Sequence, residues 1–374
     1  MKKKKSILIT GADGFIGKNL CVKLSESSEF TIFRYSRSDN FTTLEEKIRL
    51  SDVIIHLASE IRPDKVEYFK RNEKLLEKIC SSINNLHKKI PIVFMSSRHV
   101  SENSEKNSYA RSKYECEKIL EKFFEHSNNP VIIYRPPGVF GKWSKHNYNS
   151  VVSTFCYNVV NNISLTINGK NKIIDLIYVD DLLSQIVDLF QNLPEGVSYP
   201  EIKSVVQITL EELANLISSF HLDRKNLFVN NVGLGFVRNL YATYLSYLPP
   251  EQFSYNIPKY ADERGYFAEI LKTKSAGQFS FFTCKSGITR GQHYHHTKNE
   301  KFLVVSGKAR FCFEHIVSKQ FYEIETSHVT PQIVDTIPGW AHNITNIGDD
   351  ELVVMVWANE VFDRENPDTF GYLL

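Results

Sequence analysis

Residues able to carry chemistry gather in three places along this 374-residue chain. In Tyr109-Ala110-Arg111-Ser112-Lys113 a phenol and an ammonium stand four residues apart, which on a helix puts them on one face. An ammonium so placed lowers the phenol pKa from its usual ~10 and makes it a proton donor or acceptor near neutrality. Ser96-Ser97 follows the apolar run Ile92-Val93-Phe94-Met95, so a strand end would present a hydroxyl beside that phenol to steady a substrate carbonyl. A tyrosine and lysine at this spacing are common by chance on exposed helices. They become informative here because a glycine motif precedes them.

That motif is Thr10-Gly11-Ala12-Asp13-Gly14-Phe15-Ile16-Gly17, lying between an apolar strand and a helical pattern. Gly11, Gly14 and Gly17 let the backbone turn tightly, approach a pyrophosphate and pack the helix on the sheet, with Phe15 and Ile16 opening the helix. The helix N-terminus then offers free N–H groups to phosphate. The next strand ends in Phe33-Arg34-Tyr35-Ser36-Arg37. An acid here would hold a ribose 2′-hydroxyl. Arg34, Arg37 and the Ser36 hydroxyl instead suit a 2′-phosphate, so NADP(H) is the expected cofactor.

The third place begins at Gly287 and reads G-x5-H-x-H-x4-E-x6-G, with His293, His295 and Glu300 ahead of Gly307. His342 follows in Pro338-Gly339-Trp340-Ala341-His342-Asn343-Ile344-Thr345-Asn346. On one strand His293 and His295 share a face, and Glu300 can return on the next strand. Any one of these histidines alone would read as structural. Together they read as one site for a divalent metal. Three imidazoles and a carboxylate suit Zn²⁺, Fe²⁺, Mn²⁺ or Ni²⁺, and Zn²⁺ is the expected ion because no redox chemistry is required.

These groups need two frameworks to hold them. Up to about residue 190, apolar runs at 7–9, 30–33, 53–55, 92–94 and 131–134 alternate with charged stretches of helical period, among them 70–79 and 113–124. That alternation predicts a doubly wound parallel sheet, the Rossmann-type α/β class. Val237, Leu240, Tyr241, Tyr244, Leu245 and Leu248 keep helical spacing until Pro249-Pro250 ends it. Short Phe-, Val-, Ile- and Thr-rich strands follow, so the expected domains are 1–248, binding the dinucleotide, and 252–374, all-β.

Composition limits the partners. Hydrophobic residues make up 42% and charged residues 24%, enough for two cores. A formal charge of +2 gives no field for nucleic acid, and the lysines at 2–5 read as a solvated lead-in. No apolar stretch approaches the ~20 residues that cross a bilayer. Cys21, Cys80, Cys116, Cys156, Cys284 and Cys312 show no CxxC spacing and read as reduced thiols. A soluble cytoplasmic chain is expected.

The N-terminal constellation resembles the extended short-chain dehydrogenase/reductases, which include nucleotide-sugar epimerases, dehydratases and reductases. Asp52-Val53-Ile54-Ile55-His56-Leu57-Ala58-Ser59 is similar to that family's segment lining the cofactor, and Asn72 falls at its helix asparagine. Arg135-Pro136-Pro137-Gly138-Val139-Phe140-Gly141 is similar to its RxxNxxG stretch, and Tyr178-Val179-Asp180-Asp181 to its later V-D signature. The resemblance implies that Ser97, Tyr109 and Lys113 form a catalytic triad, with Tyr109 protonating a nascent alkoxide. It also implies that Leu57, Ala58 and Asn72 join the glycine loop, Tyr109 and Lys113 around the cofactor. Two departures stand out: Gly138 replaces the usual asparagine, and the interval from Ser97 to Tyr109 is short.

The metal motifs match the cupin signature over most of residues 280–350, which implies a jelly-roll barrel. Asp262-Glu263-Arg264-Gly265-Tyr266-Phe267 resembles the D-x-R-G segment of cupin-type sugar epimerases, where the arginine lies near nucleotide phosphates. A reductase followed by a cupin resembles, over essentially the whole chain, the bifunctional capsule-biosynthesis enzymes of the UDP-N-acetyl-L-fucosamine pathway. In that family the cupin epimerises C3 of a UDP-linked 4-keto-6-deoxy amino sugar and the reductase reduces C4 with NADPH. The resemblance thus implies a UDP-sugar partner, and a symmetric homo-oligomer, a dimer, is the default expectation. A non-catalytic binding cupin and an independent metal oxygenase are the alternative readings.

Overall fold

Ile7, Leu8 and Ile9 are all fully buried, which neighbouring residues of one strand achieve only when both faces of the sheet are covered. The computed structural model describes residues 4–61, 65–100 and 107–374, and it supplies that cover. The order is β1 Lys5–Thr10, α1 Phe15–Ser25, β2 Phe30–Tyr35, α2 Phe41–Leu50, β3 Val53–His56, α3 Lys70–Asn85, β4 Ile92–Met95, α4 Ser108–Ser127 and β5 Val131–Tyr134. There follow β6 Gly138–Phe140, α5 Val151–Val160, β7 Ile173–Tyr178, α6 Val179–Asp188, β8 Val197–Ser198, β9 Val206–Thr209 and α7 Leu210–Asn226.

Six of these strands form a parallel sheet in the order β2-β1-β3-β4-β5-β8. Alternate residues feed two cores. Ile7 and Ile9 pack with Leu20 and Leu24 of α1 and Leu182, Leu183 and Ile186 of α6. Leu8 packs with Leu44 of α2, Leu76 and Ile79 of α3, and Leu120 of α4. Each such buried side chain contributes roughly 1.5–3 kcal/mol. A smaller sheet, β6-β7-β9, adjoins in sequence.

The chain packs as two compact units: one runs up to Ser218 and includes Leu234–Leu248, and the other comprises Ser219–Gly233 with Pro249–Leu374. Sequence reasoning placed residues 219–233 in the N-terminal domain. They are held elsewhere because β10 Phe228–Val229 pairs in parallel with Lys272 and Thr273. Helix α8, Gly235–Leu245, belongs to the first unit.

The second unit is built from antiparallel strands: β11 Lys259–Asp262, β12 Gly265–Thr273, β13 Gln278–Cys284, β14 Thr289–Tyr294, β15 Glu300–Ser306 and β16 Lys308–His315. These are followed by β17 Phe321–Ser327, β18 Ile333–Asp335, β19 Trp340–Asn346, β20 Leu352–Ala358 and β21 Phe370–Gly371. One sheet runs β10-β12-β13-β20-β15-β18, with β11 on β12, and the other β17-β16-β19-β14-β21. Phe282, Phe302 and Val354 of the first meet Phe311, Phe313 and Ile344 of the second in one apolar core. This is the all-β architecture expected of the C-terminal part.

The lysines at 2 and 3, and residues 101–106 of the short Ser97–Tyr109 interval, lie outside the described residues. Lys5 is no solvated lead-in: it belongs to β1 and its Nζ donates to the Phe190 carbonyl at 2.8 Å. No helix among the described residues is long and apolar enough to cross a membrane. All six cysteines are free and all but Cys312 are buried.

The turn after β1 and the helix that follows leave no room for a side chain at Gly11 or Gly17. Gly11 has φ +70°, and a Cβ there would sit 2.6 Å from the Ala58 nitrogen. At Gly17 a Cβ would sit 2.2 Å from the Gly11 carbonyl oxygen. Gly17→Ala should therefore cost about 1–3 kcal/mol and abolish dinucleotide binding. Thermal unfolding and cofactor titration test this, and wild-type affinity in the variant would contradict it.

Candidate active site and metal centre

The sheet changes winding direction between β1 and β3, since β2 lies on one side of β1 and β3 with all later strands on the other. Loops leaving the carboxyl ends of strands at such a point frame the ligand crevice of open α/β sheets. The glycine turn leaves β1 there and Leu57-Ala58 leaves β3. Their closeness is set by the Leu57 N–H donating to the Thr10 carbonyl at 3.1 Å.

His56 locks this junction, a role sequence reasoning did not assign. Its Nδ1 lies 2.7 Å from the Thr10 hydroxyl and its ring stacks on Phe94 at 5.7 Å. Burial, with the nearby Lys113 charge, pushes its pKa down to about 3, so it is neutral at physiological pH. Asn72 is likewise committed within the protein: its Oδ1 accepts from the Glu60 amide at 2.6 Å and its Nδ2 donates to the Ser112 hydroxyl at 3.0 Å. It braces the loop after β3 against α4.

Asn107 starts α4, its Oδ1 accepting from the Tyr109 and Ala110 amides at 2.9 and 3.3 Å. One turn on, Lys113 is buried, lies over the Phe94 ring and donates to the Met95 carbonyl at 2.7 Å. That bond sets α4 against the end of β4, where buried Ser96 and Ser97 follow. Ser96 is bonded to buried Glu117, which also takes two hydrogen bonds from Arg135 at 3.0 and 2.5 Å. Ser97 keeps its hydroxyl at the strand end, accepting only from the His99 amide at 3.3 Å among these contacts.

One expectation is corrected here. Lys113 does not lower the Tyr109 pKa. Burial pushes the phenol up to about 12, with the neighbouring Tyr148 adding to the effect. The ammonium points to the Met95 carbonyl and lies 6.0 Å from the Tyr109 ring centroid. Burial pushes Lys113 down to about 8. At pH 7 the pair is therefore a protonated phenol beside a still-charged ammonium, which is the acid form.

The expected 2′-phosphate contacts are paired with carboxylates. Arg34 meets Asp13 at 2.8 Å and Arg37 meets Glu60 at 3.0 Å. Both guanidiniums are more than half exposed, as is Asp13, whereas Glu60 is largely buried; pairs with an exposed cation contribute about 0–1 kcal/mol. The glycine at 138 has a steric reason: a Cβ there would lie 3.0 Å from Leu176 Cδ2 and 3.2 Å from the Asp175 carbonyl. An asparagine would require β7 to give way.

In the second unit His293, His295, Glu300 and His342 converge, with one ligand atom from each lying within 4.8 Å of all the others. His293 and His342 are cross-strand partners on β14 and β19. A bulge just before His293, with Gln292 at φ +67°, locally re-aims the strand. His295 lies one residue beyond β14 rather than within it, and Glu300 opens β15. Glu300 Oε2 is 3.3 Å from His295 Nε2 and 3.6 Å from His342 Nε2.

Burial, reinforced by His342, pushes His293 down to about 4. Burial raises the Glu300 pKa, but the imidazoles of His295 and His342, at 3.3 and 3.6 Å, and the charge of Lys298 outweigh it and hold the carboxyl well below the usual range. His342 leaves both ring nitrogens buried without a hydrogen-bond partner, an arrangement that costs about 1–3 kcal/mol per group. A divalent cation fits this set: it would take up one of those His342 nitrogens and the buried carboxylate together.

Residues 7–202 match the NAD dependent epimerase/dehydratase family and residues 260–370 the polysaccharide biosynthesis C-terminal domain. The chain is 45% identical over 366 residues to the UDP-2-acetamido-2,6-beta-L-arabino-hexul-4-ose reductase of Pseudomonas aeruginosa, covering 98% of each chain. It is similar to the crystal structure of the capsular polysaccharide assembling protein CapF from Staphylococcus aureus, at 38% identity and TM-score 0.91 over 98% of this chain and 100% of that one. A structure of CapF with the inhibitor 3-isopropenyl-tropolone matches at 36% identity and TM-score 0.86, over 99% and 100%.

One equivalent of Zn²⁺ should bind wild type and raise its stability by about 2.7 kcal/mol when free metal is 100-fold above Kd. His295→Ala should lose both effects. Elemental analysis with thermal unfolding tests this. A wild type that binds no divalent ion would leave the four residues without that role.

Proposed function

The chain belongs to the NAD dependent epimerase/dehydratase family, and we propose that it is a bifunctional nucleotide-sugar enzyme: the C-terminal unit inverts C3 of a UDP-linked 4-keto-6-deoxy amino sugar, and the N-terminal unit reduces its C4 ketone with NADPH. The product is UDP-2-acetamido-2,6-dideoxy-L-talose, a precursor of UDP-N-acetyl-L-fucosamine. One observation carries most of this reading: the likeness to the Pseudomonas reductase runs through 98% of both chains, so both units are shared rather than the reductase alone.

The chemistry is coherent in order. A C4 ketone acidifies the C3 hydrogen, so a base removes it and a proton returns on the other face. Reduction at C4 then ends that acidity and locks the new configuration. NADPH supplies the hydride. Ser97 steadies the ketone oxygen, and Tyr109, which holds its proton at neutral pH, gives that proton to the developing alkoxide. Lys113 keeps a positive charge beside them. His293, His295, Glu300 and His342 would hold a divalent cation, with Zn²⁺ the expected ion, which would supply Lewis-acid polarisation of a substrate oxygen or brace the unit.

NADPH is favoured over NADH because a 2′-phosphate would compete with the Asp13 and Glu60 carboxylates for the exposed guanidiniums of Arg34 and Arg37. Each charge-assisted contact contributes roughly 1.5–3 kcal/mol, against about 0–1 for the pairs it displaces. Ser36 adds a hydroxyl at the same strand end. Replacing both arginines by alanine should raise KM for NADPH far more than for NADH. Equal kcat/KM for the two cofactors in wild type would sink this assignment.

Incubation with the UDP-4-keto-6-deoxy-N-acetylhexosamine in D₂O, read by NMR, separates the two steps. Deuterium should enter C3 without NADPH, and reduction should need it. Tyr109→Phe should lower reduction by about 10²–10⁴-fold and leave exchange intact. Loss of both would mean that one site serves both steps, and exchange absent from wild type would mean a non-catalytic C-terminal unit.

The reduction should also weaken with pH. Lys113 carries its charge below about pH 8 and loses it as pH rises through that value, while Tyr109 keeps its proton across the range. kcat/KM for reduction should therefore decline above about pH 8. A profile flat to pH 10 would show that the ammonium charge is not used.

A further inference from the structure

The segment from His295 to Glu300 joins β14 to β15 and carries two of the four clustered ligands. Its backbone is anchored at every step by side chains distant in sequence. The amides of His296, Thr297 and Lys298 donate to the Asp368 carboxylate at 3.0, 2.7 and 2.7 Å, and the Thr297 hydroxyl adds a fourth bond at 2.9 Å. The Asn299 amide donates to Asn359 Oδ1 at 3.1 Å and the Glu300 amide to the Thr336 hydroxyl at 2.8 Å.

Asp368 also acts through its main chain. Its carbonyl oxygen lies 2.5 Å from His295 Nδ1, and the only role open to that nitrogen beside a carbonyl is donor. The proton is therefore on Nδ1, which leaves Nε2, facing Glu300 at 3.3 Å, as the nitrogen open to a cation. Beyond Asp368, β21 pairs with β14, setting Gly371 opposite His293 and Phe370 opposite Tyr294. The Tyr372 amide donates to the Gln292 carbonyl and the Leu374 amide to Gln292 Oε1, both at 2.8 Å. The C-terminal segment thus lies along the strand that presents His293 and bonds directly to His295.

We propose that Asp368 and the strand following it form a positioning element for the metal centre: the Asp368 carbonyl selects the ligating tautomer of His295, and its carboxylate fixes the segment that spaces His295 from Glu300. Asp368 is not one of the four clustered residues. It acts on the ligands, as hydrogen-bonded partners of metal-bound histidines do, and such partners typically account for 10–100-fold in metal affinity. The inference rests on the metal reading of the cluster and adds to it a residue outside both metal motifs.

The test uses full-length Asp368→Ala and Asp368→Asn. Asparagine keeps the shape but turns one acceptor oxygen into an N–H₂ group facing amide donors, so it too should fail to hold the segment. Zn²⁺ affinity is measured by chelator competition, the visible spectrum is recorded with saturating Co²⁺, and the metal-free proteins are compared by thermal unfolding. Both variants should bind Zn²⁺ about 10–100-fold more weakly and show altered Co²⁺ bands at saturation. A role confined to fold stability would lower the metal-free melting temperature while leaving the Co²⁺ bands unchanged, and that result overturns the proposal. So does wild-type affinity in either folded variant. If alanine prevents folding, the asparagine variant alone decides. Wild type that binds neither ion overturns the metal reading itself, a failure distinct from wild type that binds and variants that bind equally well.

Discussion

The parallel contact between β1 and β3 is the constraint on which the N-terminal unit depends. It can form only if the backbone at Gly11 comes within van der Waals reach of Leu57 and Ala58, which no side chain at position 11 would permit. Once formed, it reverses the winding of the sheet and opens a crevice at the strand ends. His56 holds that contact from within, bonded to Thr10 and stacked on the same Phe94 ring that lies beneath Lys113. One buried aromatic thus supports both the glycine turn and helix α4.

Desolvation, more than pairwise charge, decides protonation in both units. Burial holds Tyr109 in its acid form, draws Lys113 toward neutrality and keeps His56 uncharged. In the C-terminal unit burial likewise keeps His293 neutral, yet Glu300 stays ionised because two imidazoles and Lys298 outweigh the same penalty. A buried carboxylate survives as a charge only when it is compensated in this way. The result is a protonated phenol in one unit and, in the other, an ionised carboxylate beside a neutral His293.

Much of this was legible from residue order alone. Five of the six strands of the parallel sheet stand where continuous apolar runs stand, because a strand covered on both faces cannot alternate; the edge strand Val197–Ser198 has no such run. The glycine turn, Tyr109 with Lys113, and the four-residue cluster are local patterns, or pairs of local patterns, whose spacing already places side chains on one face. The C-terminal sheets were visible only as a class, since antiparallel pairing joins strands far apart in sequence.

Three things needed the tertiary structure. The strand at Phe228–Val229 joins the C-terminal sheet through its pairing with Lys272 and Thr273, a register that no local pattern records. The direction of the Tyr109 pKa follows from how deeply the helix is buried and from where the ammonium points. Spacing four residues apart fixes a shared face but neither of those. Asp368 reaches His295 across 73 positions, through a backbone carbonyl that every residue possesses, so that contact leaves no mark in the residue pattern. Sequence determined which groups are present and which share a local face. Folding decided which groups lose water and which distant backbone atoms they meet, because both depend on contacts between segments that the chain brings together only in three dimensions.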